Sequence, residues 1–105
     1  EYNRSIPGVL KNAIDWSTRG EGGYVLDKKP GAVIGATVGR LGTAPMQAHM
    51  HNVMLHVGMY VIGQPEVYIT HAETLFGDDG TLTDEKTKAA LQKFIDTFVS
   101  EANRY

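Results

Sequence analysis

The sequence predicts an α/β fold in which helices cover a parallel sheet, and three observations support this class. Apolar residues recur with helical spacing in three segments, around 7–16, 45–57 and 84–102. Two β-rich segments, 32–37 and 60–69, lie between them. The resulting order of helix, strand, helix, strand, helix is typical of three-layer α/β architecture.

Composition limits the chain to one domain and excludes several classes of function. It has 105 residues, of which 42% are hydrophobic, so it has room for one small core. Its net charge of −2 comes from interspersed charges and favours neither nucleic acid nor an anionic membrane surface as a partner. Cysteine is absent, which excludes disulfides and thiolate chemistry. No apolar run reaches membrane-span length, and we expect a cytoplasmic protein without membrane contacts.

The first sixteen residues predict a polar turn followed by a short helix. Ser5 and Pro7 are residues that open helices, one by capping free amides and the other by fitting a first turn. An apolar stripe of Leu10, Ala13 and Ile14 then predicts a helix ending near Trp16. The triplet 1–3 stands where a preceding strand would end, and ligands bind at such positions in open α/β sheets.

A buried strand followed by a glycine loop is predicted in the middle of the chain. Residues 32–37 form a short apolar run typical of a central parallel strand. The loop from Thr37 to Thr43 leads directly into a helix, where amides can approach a ligand. Its glycine spacing fits neither a Walker loop nor a dinucleotide fingerprint. The loop alone leaves tight-turn geometry and ligand contact equally open.

The helix predicted over 45–57 carries a methionine stripe and three histidines. Such a stripe is far more often adaptable core or interface packing than part of a cofactor site. His49 and His51 point about 200° apart on a helix and cannot chelate one ion together. We therefore expect structural or interface roles for the histidines and no metal site.

The remaining segments predict connections, a divided strand and a last helix. The glycine-rich stretch 17–31 is a surface connection, or alternatively a flap or a subunit contact. Pro65 divides the segment 60–69 into an edge strand or a bulged one. Residues 77–80 form a turn, and Thr83 is the expected N-cap of an amphipathic helix that packs on the sheet.

The first segment also carries a resemblance to a known family. The matching pattern is Glu1-Tyr2-Asn3-x-Ser5-x-Pro7-Gly8-x-Leu10-Lys11-Asn12-Ala13-Ile14-Asp15-Trp16. It resembles the signature of the NAD(P)H-dependent FMN reductases, a flavodoxin-like family that includes quinone, azo-dye and chromate reductases. Thr37, Gly39 and Gly42 are similar to that family's Ser-x-Gly-x-x-Gly loop, whereas Pro45 stands where relatives carry an arginine.

The resemblance covers only the second half of such a domain, which implies strands 4 and 5 of a sheet with the order 2-1-3-4-5. It implies FMN as cofactor, with Glu1, Tyr2 and Asn3 beside the isoalloxazine ring. Thr37, Val38 and Gly39 would approach the ring from the next strand. The missing amino-terminal half of the domain would hold the phosphate.

The activity implied is hydride transfer from NAD(P)H through FMN to a quinone, azo compound, free flavin or metal oxyanion. The cofactor carries that chemistry, so no side chain is assigned as a catalytic acid, base or nucleophile, and His49 is expected to take no part. The alternative is a non-catalytic flavodoxin-like binding module or an inactive fragment. The methionine helix, with Tyr60 and Tyr68, predicts a homodimer through its apolar surface.

Overall fold

A computed structural model describes all 105 residues and contains three α-helices and two pairs of short parallel strands. The elements in chain order are α1 (Gly8–Trp16), β1 (Pro30–Gly31), β2 (Gly35–Ala36), α2 (Ala44–His56), β3 (Tyr60–Val61), β4 (Tyr68–Ile69) and α3 (Glu85–Ala102). A single 3₁₀ turn, Ala72–Thr74, follows β4. This arrangement confirms the predicted order of helices and strands. No helix combines the length and apolarity that crossing a bilayer requires.

The predicted strand over 32–37 is wrong in its extent, because its ladder is interrupted. Pro30 and Gly31 pair in parallel with Tyr60 and Val61, whereas Gly35 and Ala36 pair with the later Tyr68 and Ile69. Three residues separate β1 from β2, but six residues separate their partner strands β3 and β4. The partner chain makes a detour through Gly63 and the cis peptide before Pro65. The predicted division at Pro65 is therefore seen as two separate short strands, and the facing strand is divided as well.

The core lies between α2 and the strands. Met46, Met50 and Met54 are buried along one side of α2. Residues packed against them are Ile6, Ile14, Val33, Met59 and Val61. The methionine stripe thus packs internally, which corrects the idea that it offers surface to a second subunit. Methionine suits this place because its flexible side chain fills the irregular gap between a helix and an interrupted sheet.

Gln47 is the one polar side chain of α2 that is buried, with only 2% of its surface exposed. Its Nε2 donates to the Thr43 hydroxyl at 3.1 Å and to the Val67 carbonyl at 2.8 Å. Both N–H groups of the amide are therefore satisfied. These bonds fix the start of α2 to the chain just before β4.

The last helix begins one residue later than predicted, because Asp84 rather than Thr83 is its N-cap. The Asp84 carboxylate accepts hydrogen bonds from the amide of Thr87 at 3.0 Å and from its hydroxyl at 2.6 Å. These bonds hold the pKa of Asp84 below its usual value. None of the helix residues is buried, and Ile95 and Val99 are each about half exposed, so α3 covers the sheet only in part.

Candidate functional site

The segment before α1 forms a tight, strained turn. The Tyr2 amide donates to the Ser5 carbonyl at 3.1 Å, and the Ser5 amide donates to the Tyr2 carbonyl at 3.2 Å. Between them, Asn3 (φ 51°) and Arg4 (φ 65°) are both in the left-handed region. Asparagine tolerates this conformation, but arginine adopts it rarely. Strained backbone of this kind concentrates at functional sites, where the surrounding structure holds it in place.

Ser5 does not cap α1 as the sequence predicted. The N-cap residue is Pro7, and no side chain caps the helix. The Ser5 hydroxyl instead lies 2.8 Å from Nδ1 of His49 on α2. A tertiary partner therefore takes the hydroxyl that the local sequence would have used for capping.

Glu1 connects the same segment to the start of α2. Its carboxylate Oε2 accepts a hydrogen bond from the Met46 amide at 2.9 Å. Met46 lies in the first turn of α2, where amides lack helical partners and the helix dipole favours negative charge. The predicted contact between Glu1 and a flavin stays a prediction, but one carboxylate oxygen already has a partner within the chain.

The loop after β2 is held by the segment that follows β4. The Thr37 amide donates to the Ile69 carbonyl at 3.0 Å, and the Thr37 carbonyl accepts from Ala72 at 2.9 Å. The Gly39 carbonyl accepts from the His71 amide at 3.0 Å. Within the loop, the Gly39 amide reaches the Thr37 hydroxyl at 3.3 Å. These bonds continue the alignment of the two strands past their carboxyl ends.

Several main-chain amides of this loop have no hydrogen-bonding partner within the chain. Those of Val38, Arg40 and Leu41 donate no hydrogen bond within the chain, and all three residues are exposed. Gly42 closes the loop with φ 59°, and a Cβ there would lie 2.8 Å from that of Tyr68. The glycine is therefore required both by conformation and by close approach. The loop presents free donors at the edge where parallel α/β sheets bind ligands.

The two predicted site segments adjoin the same end of α2. The loop 37–43 runs directly into that helix, and Glu1 is bonded to its first turn. None of the six residues Glu1, Tyr2, Asn3, Thr37, Val38 and Gly39 lines a cavity of this structure. Tyr2 and Val38 are each more than 60% exposed. The candidate site is an open surface on this chain.

Sequence reasoning missed His71 beside this surface. It is exposed, has φ 46°, and its amide is bound to the Gly39 carbonyl. Its place in the sequence could have indicated this position, because it follows β4 by two residues and so lies at the same sheet edge as the glycine loop. The histidines otherwise lie apart, and no three His, Cys, Asp or Glu side chains form a group able to hold a metal ion.

Glu66, just before β4, makes two side-chain hydrogen bonds. It accepts hydrogen bonds from the Tyr68 hydroxyl and the Gln64 amide. The bond to Glu66, together with desolvation and the neighbouring negative charge, raises the pKa of Tyr68. Glu66 and Tyr68 border a cavity between β4 and the start of α3.

The parallel strands, flanking helices and loops at one sheet edge define a flavodoxin-like α/β protein. Residues 1–74 match the model of the family described as NADPH-dependent FMN reductase. The chain belongs to this family.

Similar proteins include a 2-hydroxy-1,4-benzoquinone reductase from a Burkholderia species, which is 45% identical over 95% of this chain and 55% of its own length. An NAD(P)H-dependent FMN reductase from Pseudomonas aeruginosa is 40% identical over 89% of the chain and 50% of its own length. The solved structure of FerB, a flavoenzyme NAD(P)H:(acceptor) oxidoreductase from Paracoccus denitrificans, superposes with a TM-score of 0.87 at 50% identity. That match covers 99% of this chain and 57% of FerB. The chain spans about half the length of the curated relatives it matches.

Proposed function

We propose that the protein is an NAD(P)H-dependent oxidoreductase that uses FMN to reduce a small electron acceptor. A quinone is the favoured acceptor class, because relatives at 40 to 45% identity carry that activity in their names. Azo compounds, free flavin and metal oxyanions are further candidates. The observation that carries the proposal is the strained Tyr2–Ser5 turn, which adjoins the start of α2 together with the free amides of the glycine loop.

The donor set fits a flavin. A flavin ring has a flat apolar face and a rim of polar atoms. Tyr2 offers an exposed aromatic ring on a backbone fixed by two hydrogen bonds. Asn3 and Thr37 offer an amide and a hydroxyl, and Val38 offers a free main-chain donor. When bound, FMN would supply the hydride transfer from NAD(P)H and its delivery to the acceptor.

The protein's part in this reaction is binding and orientation. We propose that Tyr2 and Asn3 position the ring and that the loop of Thr37, Val38 and Gly39 holds its polar edge. Glu1 contributes by fixing the first segment to α2, because its carboxylate is bonded to that helix. No side chain is assigned as an acid, base or nucleophile. Rigid placement of the reacting groups supplies the rate advantage.

We also propose that residues 1–105 form the carboxyl-terminal part of a single flavodoxin-like domain. The amides of Ala32, Val33 and Ile34 donate no hydrogen bond within the chain, so they are free to pair with a further strand. A groove of about 420 Å³ lies there, with nine hydrophobic residues as its lining. An amino-terminal half would place a strand in this groove and provide the anchor for the FMN phosphate.

A homodimer in the cytoplasm is the proposed state of the complete protein. Val9 and Trp16 are 78% and 70% exposed and lie seven residues apart, on one side of α1. Large apolar side chains exposed in this way favour an interface. The lack of cysteine is compatible with a reducing compartment.

The direct test is to purify the complete protein, record its visible spectrum and measure quinone-dependent oxidation of NADH and NADPH. The proposal predicts a yellow protein, or a colourless one that turns yellow with FMN, and turnover with at least one nicotinamide. A preparation that cannot be reconstituted would instead favour the non-catalytic binding module.

A further inference from the structure

Both ends of the Tyr2–Ser5 turn are fastened to α2. Before the turn, the Glu1 carboxylate binds the Met46 amide at 2.9 Å. After it, the Ser5 hydroxyl lies 2.8 Å from Nδ1 of His49, which is 44 residues away in the chain. The attachment points on α2 are three residues apart and therefore lie on one face of the helix.

Hydrophobic packing supports the same attachment. Ile6, directly after Ser5, packs against the methionine core of α2. The segment 1–6 thus follows one side of the helix, whereas its turn residues Asn3 and Arg4 are exposed and make no hydrogen bond within the chain. Those two residues hold left-handed conformations, and arginine keeps this conformation only where neighbouring contacts enforce it. Such contacts here are the two backbone bonds between Tyr2 and Ser5 and the bonds of Glu1 and Ser5 to α2.

The hydrogen bond between Ser5 and His49, which ties the turn to α2, can form with either tautomer of the imidazole. A hydroxyl both donates and accepts, so it can bind Nδ1 whether or not that nitrogen carries a proton. The bond therefore does not depend on which tautomer the imidazole adopts. An aliphatic side chain at either position would leave the end of the turn held only by packing of its neighbours.

We propose that His49 is a positioning residue for the candidate flavin site, acting through Ser5 to hold the turn that carries Tyr2 and Asn3. The inference rests on the proposed function for its effect on FMN, but the tie itself is a property of the chain. It reverses the sequence-based expectation that His49 has no part in flavin chemistry, which did not take the contact with Ser5 into account.

The test uses Ser5→Ala, His49→Ala, the double variant and His49→Asn in the complete protein. Asparagine places its amide near the position of Nδ1, so His49→Asn is the conservative rescue. His51→Ala is the matched control on the same helix, since His51 has no hydrogen bond to the first segment. Two quantities are measured: hydrogen exchange of the Tyr2 and Ser5 amides in the flavin-free protein, and the Kd for FMN.

We expect faster exchange of both amides in Ser5→Ala and His49→Ala, with FMN affinity weaker by about three- to tenfold, the effect of losing one hydrogen bond. The double variant should be no worse than either single one, because the two changes remove the same bond. His49→Asn and His51→Ala should remain close to wild type.

Unchanged exchange in both single variants would overturn the tie, whatever the FMN affinities are. Additive effects in the double variant would overturn it as well. A wild-type protein that binds no FMN, with exchange still accelerated in the two variants, would leave the tie standing and remove the proposed function. Exchange and FMN affinity therefore report the two failures separately.

Discussion

The Glu1 carboxylate binds the Met46 amide at 2.9 Å, and this bond joins the segment of the candidate site to the helix that carries the core. Met46 is buried in the methionine cluster, with only 4% of its surface exposed. The position of the site turn therefore depends on how α2 packs. The proposed flavin site therefore depends on the stability of α2, and each can be probed by substitution.

Replacing Glu1 by alanine should destabilise the complete protein by about 1 kcal/mol, because the change removes an acceptor from the first turn of α2. Urea denaturation measures the difference in the free energy of unfolding. Glu21→Ala is the control, since Glu21 is exposed in a loop and makes no hydrogen bond. Equal losses in the two variants would show that the Glu1–Met46 bond contributes nothing.

Gln47→Met should cost about 1–3 kcal/mol, because it leaves the Val67 carbonyl without its buried donor. Methionine keeps the length of the side chain, so the loss reports the hydrogen bonds more than the volume. Gln92→Met is the matched control on α3, where the amide binds only the exposed Asp96. Thermal unfolding measures the loss of stability in each variant. A loss in Gln47→Met no larger than that in Gln92→Met would argue against a structural role for the Gln47 amide.

Gly42→Ala should destabilise the protein by about 2 kcal/mol or more, through both the positive φ and the contact with Tyr68. Gly63→Ala serves as the control, because a Cβ at Gly63 meets nothing within 4 Å. We expect it to stay within about 0.5 kcal/mol of wild type. Similar stabilities for the two variants would mean that the loop can adopt another conformation.

Asp84 should contribute to stability in a pH-dependent way. Its folded-state pKa lies below the ordinary value of 3.8 because of the bonds from Thr87. A depressed carboxyl pKa stabilises the fold above the unfolded-state pKa, and this contribution disappears as the pH falls through the folded-state pKa. Wild type and Asp84→Ala should therefore differ in stability at neutral pH and converge in strong acid.

Asp96→Ala controls for the loss of a carboxylate on α3. Its carboxylate accepts only from the side chain of Gln92 in the same helix. A difference between wild type and Asp84→Ala that persists unchanged into strong acid would show that the carboxylate charge is not the cause.

The helices could be predicted closely because their signals are local. The apolar period of α2 predicted a helix over 45–57, and the structure has it at Ala44–His56. The extent of the strands could not be predicted in the same way, since each ladder depends on a partner. The run 32–37 looks continuous by itself, but the detour at Pro65 interrupts its pairing.

The candidate site was predicted by resemblance, whereas its internal contacts were not. Capping chemistry predicted Ser5 at the start of α1, but His49 takes its hydroxyl across 44 residues. The residue pattern of α2 likewise does not show that Gln47 is buried and donates to the Val67 carbonyl. Such partners are set by tertiary packing, which a residue pattern does not contain.

The central claim, that a flavin binds at the Tyr2–Ser5 turn, is tested most directly by titrating the flavin-free complete protein with FMN. Tyr2→Ala removes the exposed ring, and Asn3→Gly removes the amide while glycine keeps the left-handed conformation. The account predicts that each change raises the Kd for FMN about tenfold, whereas Tyr24→Ala leaves it at the wild-type value. Wild-type affinity in both turn variants would contradict the account.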